Sequence, residues 1–182
     1  MANTELRIAA WAAIISAVLI IPSYLISLVF ESYRGMFLFR YSYITILIIG
    51  TLVSLLILRG YLILGKKLKL GLLRVMSIIL IVGNILMVVF ELVVLAIRQS
   101  TVTIFISLAV VVTFGIVMII FGVSVLALRK RFKNLATALG VLYIMDGIMF
   151  ASVFLVLLYP LVAIPASILE AVLFFRASKK IR

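Results

Sequence analysis

The chain contains no cysteine and no histidine, and only five of its 182 residues are acidic. Without thiolate or imidazole it offers no disulfide, no zinc or iron–sulfur ligand set, no histidine-ligated haem and no histidine general base. The acids are Glu5, Glu31, Glu91, Asp146 and Glu170. With Asp146 the sole aspartate, neither a paired-aspartate intramembrane protease nor an Asp-rich, metal-binding lipid transferase can be assembled. No glycine-rich phosphate loop follows a strand pattern, and no GxSxG elbow occurs. The expectation is a protein without catalytic residues, bound metal or cofactor, and not an enzyme.

Apolar residues are abundant instead. They make up 68% of the chain and charged residues 12%, against about 45–50% and about 25% in soluble domains. Such a composition excludes a soluble globular domain and an intrinsically disordered chain. The fold class it implies is all-α, a polytopic membrane helix bundle.

A helix needs about 20 apolar residues to cross the hydrocarbon layer. Ile8–Phe30 is uncharged and reads as span one; Tyr41–Leu64, broken only by Arg59, is span two. Val75–Ile97, carrying Glu91, is span three, and Thr101–Leu128 is span four. Leu135–Ala177 is long enough for two crossings, and Pro160 divides it into Leu135–Leu157 and Leu158–Ala177. The first apolar run exceeds a signal-peptide h-region and no small-residue cleavage site follows it, so it is expected to stay as an anchor.

The 17 lysines and arginines give a net charge of +12 and are unevenly placed. Lys66, Lys67, Lys69 and Arg74 follow span two; Arg129, Lys130, Arg131 and Lys133 follow span four; Lys179, Lys180 and Arg182 follow the last span. With six spans these groups share one side with Arg7, and only Arg34, Arg40 and Arg98 face the other. Because basic loops stay in the cytoplasm, both termini are expected inside, in the cell membrane. Five spans would place the last basic group outside. The clusters are expected to attract anionic lipid headgroups; too short for a nucleic-acid site, they point to no such partner.

Each cluster reads basic, basic, apolar, basic: Lys66-Lys67-Leu68-Lys69, Lys130-Arg131-Phe132-Lys133 and Lys179-Lys180-Ile181-Arg182. This predicts one transmembrane domain over 1–182 built from three tandem parallel hairpins, about 6–69, 70–133 and 134–182. Positive-inside selection on unrelated loops is the alternative origin. Parallel hairpins differ from the inverted repeats common in alternating-access transporters. In length and span count alone, the layout is similar to that of the HdeD-like membrane proteins. No motif accompanies the similarity, and no activity or residue role is taken from it.

Small residues at four-residue spacing mark expected contact faces: Ala9, Ala13 and Ala17; Ala163, Ser167 and Ala171; Ala136 with Gly140; Gly147 with Ala151. A homodimer seam is the alternative use of these stripes. Pro22 and Pro165 are expected to kink spans one and six, with Ser16, Ser23 and Ser27 satisfying freed carbonyls rather than lining a pore. The aromatic loop Glu31–Tyr41 suits the outer interface.

Five polar residues within the spans are candidate sites, since ionisable groups are expensive at bilayer depth. Asp146 and Asn84 fall at similar mid-depth in spans five and three, where a hydrogen bond could join them. That bond alone could not stabilise a charged carboxylate, so Asp146 is expected to be protonated or to hold a cation. In the repeat register Glu170 and Arg59 lie within about a turn in depth, which predicts an ion pair between spans two and six. Glu91, seven residues after Asn84, would snorkel outward or pair with Arg34 or Arg98. Two functions remain open at this level. One is a non-catalytic accessory or structural component, with a membrane-protein partner or as a homo-oligomer. The other is a small transporter or channel using Asp146 and Glu170 as a proton or cation site.

Overall fold

The structure is a computed structural model that describes residues 2–33, 37–96, 100–152 and 154–180. It comprises α1 (Ala2–Tyr33), α2 (Phe37–Lys67), α3 (Gly71–Ala96), α4 (Thr101–Leu126), the four-residue α5 (Arg129–Phe132), α6 (Asn134–Ser152) and α7 (Tyr159–Lys180). A 3₁₀ turn over Phe154–Leu158 joins α6 to α7. Six of these helices, all but α5, are long and apolar enough to cross a membrane. A helix is the natural form for such segments, because it satisfies every backbone N–H and C=O within itself. The outward faces carry large side chains such as Trp11, Val18, Leu86, Phe105 and Leu161, each more than half exposed, as lipid-facing surfaces do.

Pro160 separates the last two spans, as its lack of an N–H dictates: it is the second residue of α7, where no helical donor is needed. The fifth span ends at Ser152 rather than Leu157. Ser152 Oγ donates to Met149 O at 3.1 Å and accepts from Leu155 N at 3.2 Å, closing the helix end and starting the 3₁₀ turn. The connection between α1 and α2 is shorter than the expected loop Glu31–Tyr41, since α1 extends to Tyr33 and α2 starts at Phe37. Between α3 and α4, Ser100 caps α4, accepting from Thr103 N at 3.2 Å.

The spans form a closed ring in chain order. Each packs on its neighbours, α1 on α2, α2 on α3, α3 on α4, α4 on α6 and α6 on α7, and α7 closes the ring against α1. The α4–α6 contact is the most extensive and runs along a glycine seam. A Cβ at Gly147 would sit 2.6 Å from Gly115 O, and one at Gly122 would sit 2.8 Å from Gly140 O. The expected faces are in use: Ala9, Ala13, Ala136, Ala163, Ser167 and Ala171 are all buried within the chain. Helices α1 and α7 run unbroken through Pro22 and Pro165.

The two halves of the ring differ. At the end bearing the basic clusters the interior is solid, filled by Leu6, Tyr61, Leu64, Leu73, Val125, Leu139 and Phe174, all with no exposed surface. The basic–basic–apolar–basic pattern has a structural basis there. Phe132 is buried and Leu68 half-buried against the core, while Lys66, Lys67, Lys69, Lys130, Arg131 and Lys133 are exposed. Leu68 and Phe132 pack on the core, and the bases that flank them face out. Lys69 and Lys133, at the same place in the pattern, both take positive φ, 54° and 49°. At Lys69 this forms a Schellman turn, with Leu70 N donating to Gly65 O at 2.9 Å and Lys69 N to Lys66 O at 3.4 Å.

Candidate functional site

Beyond the packed half the ring holds an open-sided cavity of about 640 Å³, to which all six spans contribute lining residues. Its floor is a cluster of four rings. Tyr61 meets Phe121, Tyr143 and Phe174 edge-on at centroid distances of 5.1, 6.1 and 4.9 Å, and Phe121 meets Tyr143 at 5.0 Å. Edge-to-face contact is a favoured arrangement of aromatic rings. Higher up, Phe150 packs against Phe114 at 6.1 Å and Tyr159 at 5.4 Å.

Four of the five sequence candidates, Asp146, Glu170, Glu91 and Asn84, line this cavity. Counted at about 1.5 Å per residue from the basic end of each helix, Glu170 and Asp146 differ in depth by about one turn, and Glu91 lies two turns or more beyond. Glu170 is buried at the floor, where Tyr143 Oη donates to its Oε1. Asp146, on the same face of α6 three residues after Tyr143, is 6% exposed, and its Oδ1 has no hydrogen-bond partner among the described residues. Glu91 faces inward, accepting from Tyr43 Oη at 2.7 Å through Oε2. Arg34 and Arg98, its expected partners, lie outside the described residues.

Two expected pairings are replaced by others. Arg59 does not meet Glu170; its Nη2 lies 2.5 Å from Glu5 Oε1, at the outside of the α1–α2 contact. Arg59, with its side chain 61% exposed, points away from the ring, whereas Glu170 lines the ring's cavity. Asn84 does not bond Asp146 either. Its Oδ1 accepts from Ser54 Oγ at 3.3 Å and its Nδ2 donates to Leu80 O at 3.0 Å. Both residues nevertheless share the one cavity.

The serines of α1 also differ from expectation. Ser16, Ser23 and Ser27 all line the cavity. Ser27 Oγ donates to Ser23 O at 2.8 Å, an ordinary bond four residues back rather than one to the carbonyl freed by Pro22. Ser16 and Ser167 hydroxyls approach to 3.5 Å across the α1–α7 contact, and Tyr24 Oη donates to Leu157 O at 3.1 Å.

Sequence reasoning missed the tyrosines. Tyr143 and Phe150 fall three residues before and four after Asp146, so a helical face through Asp146 would have found them. The electrostatics are one-sided: three carboxyl groups line the cavity, and no lysine or arginine among the described residues does. No three acidic side chains among the described residues come close enough to ligate one metal ion.

Comparison with known protein families, curated proteins and solved structures finds no significant match, so the function is argued from this geometry alone.

Proposed function

We propose that this membrane protein is a small transporter that binds a cation in the ring's cavity, with Asp146 as the principal anionic group and Glu170 and Glu91 below and above it. One observation carries the reading: three of the chain's five acids converge on one cavity that no basic side chain among the described residues enters. A carboxylate removed from water is costly unless a proton or cation accompanies it. Glu170 and Glu91 each hold a tyrosine donor, whereas Asp146 Oδ1 holds none and is left for a ligand. The role is binding and translocation without covalent chemistry. With the basic clusters in the cytoplasm of a cell membrane, the cavity lies toward the outer side. The accessory reading retains one support, the parallel sense of the hairpins, which lacks the inverted symmetry of many transporters.

The test is purified full-length protein in liposomes under a sodium or potassium gradient. Uptake is followed with radiolabelled sodium or rubidium, and proton movement with an internal pH dye. Saturable cation or proton flux above that of empty liposomes, lost in Asp146→Asn protein with an unchanged melting curve, is the expected result. Folded wild-type protein that moves neither protons nor cations would refute transport. Co-purification of a stable membrane partner would then establish the accessory role.

A further inference from the structure

The ligand's size and chemistry can be narrowed further, on the premise that the cavity is a cation site. We infer that it takes an organic ammonium, a positively charged nitrogen carried on an apolar or aromatic body, with the nitrogen at Asp146 and the body against the ring of aromatic side chains.

Volume is the first observation. The cavity's 640 Å³ falls within the roughly 300–1,000 Å³ of small-molecule pockets. A single inorganic ion would leave most of it to water, at about 30 Å³ per molecule. Wall chemistry is the second. Phe114, Tyr143, Phe150 and Tyr159 line the cavity with Asp146; such rings suit an apolar body, and an aromatic face attracts a cation electrostatically. The anionic group is the third. Asp146 is more than nine-tenths buried, lines the cavity, and its Oδ1 has no partner among the described residues, so a charge-assisted N–H···O bond or a direct ion contact is open to it. A divalent metal is disfavoured by the spacing of the acids, no three of which come together among the described residues.

The same walls provide a size test. Gly50 of α2 lines the cavity, and a Cβ added there meets nothing within 4 Å. A leucine at this position would extend into ligand space from a Cβ that meets no helix contact.

The experiment uses full-length protein in lipid nanodiscs and three probes: phenyltrimethylammonium, its neutral isostere tert-butylbenzene, and sodium. Binding is measured by calorimetry and by displacement of radiolabelled phenyltrimethylammonium. Saturable binding of the ammonium at one site per chain is expected, with the neutral isostere at least ten-fold weaker. Asp146→Asn should weaken the ammonium at least ten-fold, Asp146→Glu should restore part of it, and Gly50→Leu should abolish it with an unchanged melting curve. Equal binding of the neutral isostere would overturn the inference, as would undiminished binding to Gly50→Leu. Flux of sodium or protons without ammonium binding would refute the organic ligand and leave the cation-transport reading standing. Absence of both would remove the two together. Should Asp146→Asn fail to fold, the isostere comparison and Gly50→Leu decide alone.

Discussion

The glycine seam between α4 and α6 offers a sharp energetic contrast within one protein. A Cβ at Gly147 would stand 2.6 Å from both Gly115 O and Ile119 Cγ1 and 2.7 Å from Ile119 N, where ordinary contact begins at 3.4 Å. Two of those three atoms are backbone, so relief requires the helices themselves to separate. Overpacking of this kind costs about 1–3 kcal/mol. At Gly50 the same added methyl meets nothing within 4 Å, and alanine's better helix propensity contributes up to about 1 kcal/mol. Both glycines are helical, so the propensity gain is common to the two, and Gly147→Ala and Gly50→Ala should differ in unfolding free energy by about 1–3 kcal/mol, with Gly147→Ala the less stable. Equilibrium unfolding in bicelles, read by steric trapping or by circular dichroism, measures the difference directly. Gly115→Ala combined with Gly147→Ala should cost less than the two singly, because helices already forced apart accommodate the second methyl more easily. If Gly147→Ala unfolds at the same point as Gly50→Ala, the close approach of α4 and α6 is not what holds the ring together there.

Three further outcomes follow from the same geometry. Tyr143→Phe removes the donor to Glu170 and should destabilise by about 1–3 kcal/mol; a double-mutant cycle with Glu170→Gln should recover a coupling of similar size. Glu5→Gln breaks an ion pair with side chains 35% and 61% exposed, so its cost should stay within about 1 kcal/mol and fall with salt; a larger loss would mean that the pair is shielded from solvent. Because the chain has no native cysteine, a cysteine introduced at Ser100 or at Lys130 reports sidedness without background, and an impermeant maleimide should label the first from outside cells and the second only after permeabilisation.

Much of the fold was legible in the sequence because lipid imposes a simple rule on length and polarity. Six runs of sufficient apolar length become six helices, and Pro160 divides the last two where a missing N–H is harmless. Depth was legible for the same reason, and Asp146, Asn84 and Glu170 do meet in one cavity. Direction around the helix was not. Arg59 and Glu170 lie at comparable depth, yet Tyr61, only two residues from Arg59 and so about 200° round the helix, is the one that faces the interior, fully buried. Arg59 therefore points outward to Glu5. The seam was half visible: Gly140 and Gly147 stood out, but their partners Gly115 and Gly122 carry the same seven-residue spacing on α4 and needed the pairing of spans to be recognised. The short α5 could not be read from periodicity, being one turn long.

The hollow half of the ring is a property of the sequence rather than a packing accident. In lipid, helices gain by close contact, and an empty interior forfeits the dispersion contacts its walls would otherwise make. The basic end takes that gain, filling the interior with Leu6, Leu64, Leu139 and Phe174. Toward the other end the inward positions include the small residues Ser16, Gly50, Ser54, Ala163 and Ser167 among larger ones such as Leu47 and Leu80. Larger apolar side chains at these places would fill the space and remove serine hydroxyls from an expensive environment. Their absence coincides with the carboxyl groups of Asp146 and Glu91, which an interior of leucine could not tolerate. Small residues set among larger apolar ones, unfilled volume and an unpartnered carboxyl line one cavity, and together they favour a space kept for a guest over a scaffold that serves only to span the membrane.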